Sequence, residues 1–274
     1  MVTLDKTIQQ PSSPQGRKGT AFPSLVKLFK QSIILILFFI GWEILPKTGF
    51  VDKAFFPAFS EVAVAWWNLL VSGSLWEHFS ASILRSVAGF ALAILIAIPL
   101  GLLIGWYPTI SDLFNPILEV FRNTAALALL PVFILFLGIG ETSKIAIVLF
   151  ACTFPILLNT IAAVKNVDPL FIKSARSMNI PPFKLFYKVI LPASVPMIFT
   201  GVRMAGASAI LVLIAAEMVG AKAGLGYLIT YSQYNFLIPE MYAGIITISL
   251  LGLGINYGLL ALERYFTRWQ QPLR

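Results

Sequence analysis

The side chains that could act on a ligand in an apolar environment are few in this sequence, and most are cationic. Arg122 opens one long apolar segment, Arg203 lies inside another, and Glu217 follows near the end of the latter. A charge at the centre of a bilayer costs about 2.5–3.5 kcal/mol on insertion scales, so these groups should face protein or water. We expect Arg203 and Arg122 to line a path for an anion. The alternatives are that Arg203 snorkels or pairs with a neighbouring segment, and that Arg122 lies at the interface.

Catalytic and metal-binding patterns are missing from the sequence. His78 is the only histidine, and no cluster of His, Cys and carboxylates suggests a metal site. No Gly-x-Ser-x-Gly arrangement is present, and residues 138–144 have the wrong spacing for a Gly-x-x-x-x-Gly-Lys-Ser/Thr phosphate loop. We therefore expect no catalytic residue, no metal and no cofactor in this chain, which argues against a membrane-bound enzyme.

A polar loop at 168–192 carries start and stop signals for two short helices. Asp168 can cap the first helix, and Asn179 tolerates the left-handed conformation that ends one. Pro182 permits a second helix to start, and Pro192 marks the expected boundary before the next apolar segment. The pattern predicts helix, sharp turn and helix, with aromatic and basic side chains exposed. The alternative is an ordinary amphipathic loop that rests on lipid headgroups.

The composition indicates a membrane protein. Of the 274 residues, 58% are hydrophobic and 12% are charged, whereas soluble domains carry about 25% charged residues. The single cysteine, Cys152, excludes an internal disulfide. Most basic residues flank apolar segments, so anionic lipid and membrane topology explain the net charge of +8 without a nucleic-acid partner.

Six apolar segments approach the length of about 20 residues that a membrane-spanning helix needs. They are 28–46, 84–106, 116–137, 143–164, 194–220 and 242–264. We expect an all-α membrane protein with a disordered cytoplasmic tail at 1–27, a single six-span domain at 28–268 and a second tail at 269–274. A short amphipathic helix at about 60–72 is expected on the outer surface.

The distribution of lysine and arginine predicts the orientation. Of the 20 such residues, one, Arg203, lies in the fifth span and 14 lie on the side of the amino terminus. We expect the other five on the outer side: Lys47, Lys53, Arg85, Lys144 and Lys222. Both termini and the 168–192 loop are therefore expected in the cytoplasm.

The loop resembles the signature of bacterial ABC importer permeases, which reads Glu-Ala-Ala, three residues, Gly, nine residues, Ile-x-Leu-Pro. Its first three places are taken by Lys173, Ser174 and Ala175. Asn179 takes the glycine place, and residues 189–192 (Val-Ile-Leu-Pro) end the pattern. This chain thus keeps the spacing, one Ala and the Leu-Pro, and departs from the family at the Glu, the other Ala, the Gly and the first Ile.

Other segments extend the likeness to the nitrate/sulfonate/taurine importer branch. They are 75–85, 122–144, 154–160 and 216–227. The likeness covers roughly residues 40–268, and aliphatic sulfonate permeases are the most similar.

The resemblance implies a type I ABC importer permease fold with a cytoplasmic coupling-helix loop, in the inner membrane of a bacterium. It implies a dimer of permease subunits, identical or not, with two separate subunits that bind ATP and Mg. A substrate-binding protein or domain would deliver a small oxyanion such as a sulfonate, taurine, nitrate or bicarbonate on the outer side. The residues expected to couple to the ATPases are Lys173, Ser174, Ala175, Arg176, Met178, Asn179, Pro182 and Phe183.

Further candidate residues lie along the expected pathway. Leu130 and Pro131 could form a hydrophobic gate, and a packed proline kink is the favoured alternative. Glu217 lies near the outer end of its span, where a structural or gating contact is expected. Gly224 and Gly226 allow a tight turn or a re-entrant bend.

A stand-alone secondary transporter or channel is the alternative function. It would predict paired buried acids along the spans or an inverted internal repeat, and we identify neither in the sequence.

Overall fold

The computed structural model describes the backbone of residues 22–267 and the side chains of residues 33–267. The secondary structure in this range is entirely helical, which confirms the predicted all-α class. The helices are α1 (Phe22–Lys47), α2 (Phe59–Val71), α3 (Ser74–Trp106), α4 (Pro108–Arg122), α5 (Leu130–Leu137), α6 (Glu141–Lys165), α7 (Pro169–Ser177), α8 (Pro182–Leu185), α9 (Leu191–Glu217), α10 (Leu225–Tyr234) and α11 (Ile238–Phe266). The expected tails lie outside the described residues, apart from 22–27, where α1 begins.

Four helical stretches of the described residues are long and apolar enough to cross a membrane. They are α3, α6, the joined stretch Pro182–Glu217 and α11. A bent pair, α4 with Ala126–Leu137, makes a fifth candidate. The first predicted span, 28–46, lies within α1 and includes side chains outside the described residues, so the structure accounts for up to five of the six spans.

The predicted span at 116–137 is broken in the structure. α4 ends at Arg122, and the helical stretch Ala126–Leu137 leaves it at an angle of 86°. The side chains of Asn123 and Thr124 donate to backbone carbonyls in the last turn of α4, at 2.9 Å each. Such local bonds compete with continuation of the helix, and hydropathy alone does not reveal them.

The expected boundary at Pro192 is wrong. α8, a π-helical turn at Phe186–Ile190 and α9 form one helical stretch, Pro182–Glu217. A proline has no N–H and its ring collides with the carbonyl four residues earlier in a regular helix. The π turn directly before Pro192 widens the backbone, and Leu191 N–H donates to the carbonyl of Phe186. A π bulge of this kind lets a helix pass a proline.

α3 and α6 are held together along a row of small residues. A Cβ placed on Gly101 would lie 2.6 Å from Thr160 Cβ, and one on Gly105 would lie 2.8 Å from Val164 Cβ. The two helices therefore approach more closely than larger residues would allow, which is a common packing mode in membranes. α9 packs against the other side of α6, where Gly201 faces Asn159, so these three helices form the centre of the bundle.

The bundle has two ends, which carry different features. The loop end holds α7 and α8, packed against the last turns of α3 and α6. The far end holds α2, α10 and the first turns of α3 and α11, which share an apolar cluster.

The glycine contact between α3 and α6 can be tested with a single methyl group. Gly101→Ala should lower the free energy of unfolding by about 1–3 kcal/mol, because an added group in a filled core forces its neighbours apart. Gly252→Ala on α11 is the matched control, since no heavy atom lies within 4 Å of its added Cβ. Thermal unfolding in detergent compares the two, and a Gly101→Ala variant as stable as the control would contradict the close contact.

Candidate functional site

The 168–192 loop has the predicted helix, turn and helix. Leu170 N–H donates to Asp168 Oδ1 at 2.8 Å, so Asp168 caps α7 as expected. Asn179 has a φ of 55°, in the left-handed region. Ile180 N–H then donates to the carbonyl of Ala175 at 3.2 Å, which closes the turn before α8. The local signals in the sequence were therefore sufficient to predict this element.

A small apolar cluster holds the loop rigidly on the bundle. Ala175 of α7, together with Leu185 and Ile190, packs against Val164 and Val167 at the end of α6. All five side chains are buried. Trp106 at the end of α3 contacts the same cluster and packs edge-to-face on Phe186. The loop is therefore in contact with α3, with the end of α6 and with the start of α9.

The predicted coupling residues divide into one anchor and an exposed set. Ala175 is buried. The exposed residues are Lys173, Ser174, Arg176, Met178, Asn179, Pro182 and Phe183. Beside them, Phe183 and Phe186 line an apolar groove of about 510 Å³ with residues of α3 and the following turn. The loop thus presents aromatic and apolar side chains with cations around them.

A group of charged and polar side chains, most of them buried, lies toward the far end of the bundle. We call it the Arg85 cluster: Ser82 and Arg85 of α3, Glu141 of α6 and Glu217 of α9. Arg85 Nη1 donates to Glu217 Oε1 and to the carbonyl of Ala223, at 2.7 Å each. Its Nε and Nη2 atoms donate to the two carboxylate oxygens of Glu141, and the bond from Nη2 is 2.7 Å long. One guanidinium therefore joins α3 to α6, α9 and the turn before α10.

The Glu217 carboxylate accepts hydrogen bonds from three different residues. They come from Ser82 Oγ at 2.8 and 2.9 Å and from Gly226 N–H at 3.0 Å, in addition to Arg85. Gly224 has a φ of 123°, and a Cβ there would collide with the Glu217 carboxyl group. The structure thus brings together the three predicted residues Glu217, Gly224 and Gly226, and it shows the tight turn that the two glycines indicated.

The two carboxylates on Arg85 differ in their exposure. The Glu217 side chain is 0% exposed and that of Arg85 is 5% exposed, whereas that of Glu141 is 65% exposed. Removing one partner of a buried ion pair costs about 3–5 kcal/mol. In the pair with Glu141 only the arginine is buried, and water can replace it as a partner of the exposed carboxylate. The contact with Glu217 is therefore much harder to break than the contact with Glu141.

Arg85 and Lys144, which we expect on the outer side, lie in the first half of α3 and the first turn of α6, respectively, toward the far end of the bundle. Both side chains are buried within helices, and Lys144 Nζ donates to the carbonyl of Gly140 at 3.0 Å. The ion pairs of Arg85 with Glu141 and Glu217 were missed in the sequence. The signal was available, because charges near the same end of three apolar segments need partners in a membrane.

Arg203 lies on α9 and faces α11. Its Nη1 atom is 3.1 Å from Glu263 Oε2, and its side chain is 38% exposed. The pairing with a neighbouring helix that the sequence left open is therefore present, and a substantial part of the guanidinium remains accessible.

The other predicted pathway residues lie around the bend between α4 and α5. Arg122 is exposed at the end of α4. Leu130 is buried against Ile147 and Ala216, whereas Pro131 is exposed in the first turn of α5. The helix breaks at 123–125 and not at Pro131, because a proline is tolerated in the first turn of a helix.

Residues 97–271 match the family described as binding-protein-dependent transport system inner membrane component. The chain is 36% identical to a probable ABC transporter permease protein of Brucella abortus. The match covers 84% of this chain and 91% of that protein. The chain is 34% identical to the taurine transport system permease protein TauC of Escherichia coli, over 73% of this chain and 72% of that protein. It is 31% identical to the bicarbonate transport system permease protein CmpB of Synechocystis, over 71% and 70% of the two chains.

A solved structure supports the same fold. The MetNI methionine ABC transporter, in inward-facing conformations, contains a chain that superposes with a TM-score of 0.62 at 20% sequence identity. The match covers 73% of this chain and 96% of that one. The arrangement of helices is therefore that of an ABC importer permease.

The unequal exposure of the two carboxylates predicts unequal costs of removal. Glu217→Ala should lower the free energy of unfolding by about 3–5 kcal/mol, because it removes the buried counter-charge of Arg85 and leaves the Ser82 hydroxyl and Gly226 N–H without their acceptor. Glu141→Ala should cost less, because its carboxylate is 65% exposed and Arg85 keeps Glu217 as a counter-charge. Unfolding of both variants in detergent measures this difference. Equal losses would contradict it, and a double replacement, Arg85→Met with Glu217→Leu, should recover part of the stability.

Proposed function

Because this chain belongs to the family of binding-protein-dependent transport system inner membrane components, we propose that it forms the pathway of an ATP-driven importer of small oxyanions. The chain is an ABC transporter permease, a translocation subunit and not an enzyme. Support for the class of cargo comes from relatives whose names state taurine, aliphatic sulfonates and bicarbonate. Each of these compounds carries its charge on a compact group of oxygens.

The observation that carries the proposal is the exposed loop at 168–192, fixed on three helices of the bundle. An amphipathic loop that only rests on lipid needs no such rigid base. The exposed aromatic and basic side chains suit a protein partner, since aromatic residues and Arg dominate the energy of protein interfaces. The sequence contains no phosphate loop of its own. Two ATP-binding subunits, holding ATP and Mg, are the proposed partners of this loop and of its copy.

A second permease subunit, identical to this one or closely related, would complete the pathway. α4 presents an apolar stripe of Leu113, Ile117 and Val120, all exposed in a single copy. Lipid or the second subunit would cover this face. A substrate-binding protein or domain would dock at the far end, which corresponds to the outer surface if both termini and the loop are cytoplasmic.

Arg203 is the proposed contact for the anion, with Arg122 as a second candidate. Glu263 neutralises part of the charge of Arg203, but the guanidinium is partly accessible and has N–H groups to spare. A passing oxyanion would compete with Glu263 for these donors, which gives binding weak enough to release the cargo. Gating would involve Leu130 and Pro131 near the bend, and the turn formed by Glu217, Gly224 and Gly226.

The proposed docking role of the loop predicts that a substitution there weakens binding of the ATP-binding subunit. Phe183→Ala should weaken binding of the ATP-binding subunit by about 2 kcal/mol, the scale of an interface hot spot. Tyr234→Ala is the matched control, because both aromatic side chains are highly exposed, at 81% and 79%, and lie at opposite ends. Co-purification of the subunits measures the effect. Normal assembly of the Phe183→Ala variant would argue against docking at this position.

The anion role of Arg203 predicts a loss of uptake without a loss of assembly. Arg203→Met should lower ATP-driven uptake of the anion about tenfold to a hundredfold, since a hydrogen bond to a charged group contributes about 1.5–3 kcal/mol. Arg264→Met, an exposed arginine of α11 next to Glu263, is the control. The assay uses proteoliposomes that contain the assembled transporter, and unchanged uptake by Arg203→Met would refute a direct role.

A further inference from the structure

Arg85 contacts two turns of the chain that are far apart in sequence. Through Glu141 it is attached to the turn at 138–140, which joins α5 to α6. Through Glu217 and the carbonyl of Ala223 it is attached to the turn at 218–224, which joins α9 to α10. A single guanidinium thus links the two turns.

The two turns also approach each other directly, and each contains a glycine with a positive φ. A Cβ placed on Gly220 would lie 2.9 Å from the Cγ2 atom of Ile139. Gly138 and Gly220 have φ values of 78° and 67°, which residues other than glycine rarely adopt. The contact of Ile139 with Gly220 and the ion pair of Glu141 with Arg85 link these turns. They lie beside the apolar cluster in which Leu130 of α5 packs against Ala216 at the end of α9.

We propose that Arg85 is a positioning residue with one permanent and one releasable contact, and that release of Glu141 separates the two turns in each transport cycle. The permanent contact with Glu217 keeps the end of α9 and the start of α10 in register with α3. The releasable contact with Glu141 holds the α5–α6 turn against them. This inference rests on the proposed function, because the transport cycle supplies the movement that breaks the contact.

The geometry explains why the two contacts would behave differently. Four hydrogen bonds from Arg85, Ser82 and Gly226 fix the Glu217 carboxylate in a site closed to solvent. Glu141 has a single partner among these groups, Arg85, and its carboxylate is rehydrated as soon as it leaves. Lys144, one turn further along α6, stays bound to the carbonyl of Gly140 and keeps the start of α6 intact.

A reversible cross-link tests the contact between the turns. The full-length chain carries Ile139→Cys and Gly220→Cys, with the buried Cys152 replaced by alanine so that only the introduced thiols remain. Oxidation of the purified chain should join the two cysteines. Adding Glu141→Gln should slow disulfide formation about fivefold, because the ion pair that holds the α5–α6 turn beside Gly220 is weakened. Glu77→Gln, which removes another exposed acid at the far end, should leave the rate unchanged. Equal rates with and without Glu141, or no cross-link at all, would overturn the proposal.

The same cysteine pair tests the release. In the assembled transporter, oxidation should stop ATP-driven uptake and a reductant should restore it, because the joined turns can no longer separate. Each single-cysteine variant controls for the substitution itself, including the strain of a side chain at Gly220. Full uptake by cross-linked protein would refute the releasable contact. Failure of the unmodified transporter to take up any oxyanion would instead count against the proposed function, and the cross-linking rates would still decide the role of Glu141.

Discussion

The continuity of one helix is the constraint on which the other features depend. The stretch Pro182–Glu217 contains 36 residues, which corresponds to about 54 Å at about 1.5 Å per residue. One end carries the exposed loop and its apolar anchor, and the other end carries Glu217 in the Arg85 cluster. A helix interrupted at Pro192 would uncouple these ends. The π turn at Phe186–Ile190 preserves the connection, so a single element joins the loop to the far end, as the proposed coupling requires.

The distribution of tight and loose contacts then determines where the molecule can move. α3, α6 and α9 are packed at glycines, where even a methyl group would collide with a neighbour. The α4–α5 unit contains an 86° bend and continues into α6 through the Gly138 turn. The contact between Arg85 and Glu141 lies directly after this turn, at the first residue of α6. Close packing therefore holds the middle of the three helices, and the partly exposed contact lies beside the turn that we propose to move.

Local features of the fold could be predicted from the sequence, and features that depend on distant partners could not. Asp168 and Asn179 set the ends of α7 through bonds within a few residues, and the turn at Gly224 follows from backbone freedom. The path of the chain past Pro192 depends on a π turn that no local signal requires. The network around Arg85 joins residues more than 130 positions apart in the sequence. Its members could be recognised as buried charges, but their pairing requires knowledge of how α3, α6 and α9 pack.

A structure of the assembled transporter by electron cryomicroscopy, with and without bound ATP, tests the account most directly. The account predicts that the exposed side chains of α7 and α8 are covered by an ATP-binding subunit in both states. It also predicts that Pro182–Glu217 remains one helix while the loop changes its position with the nucleotide. A loop that contacts only solvent or lipid in the assembled transporter would contradict the account.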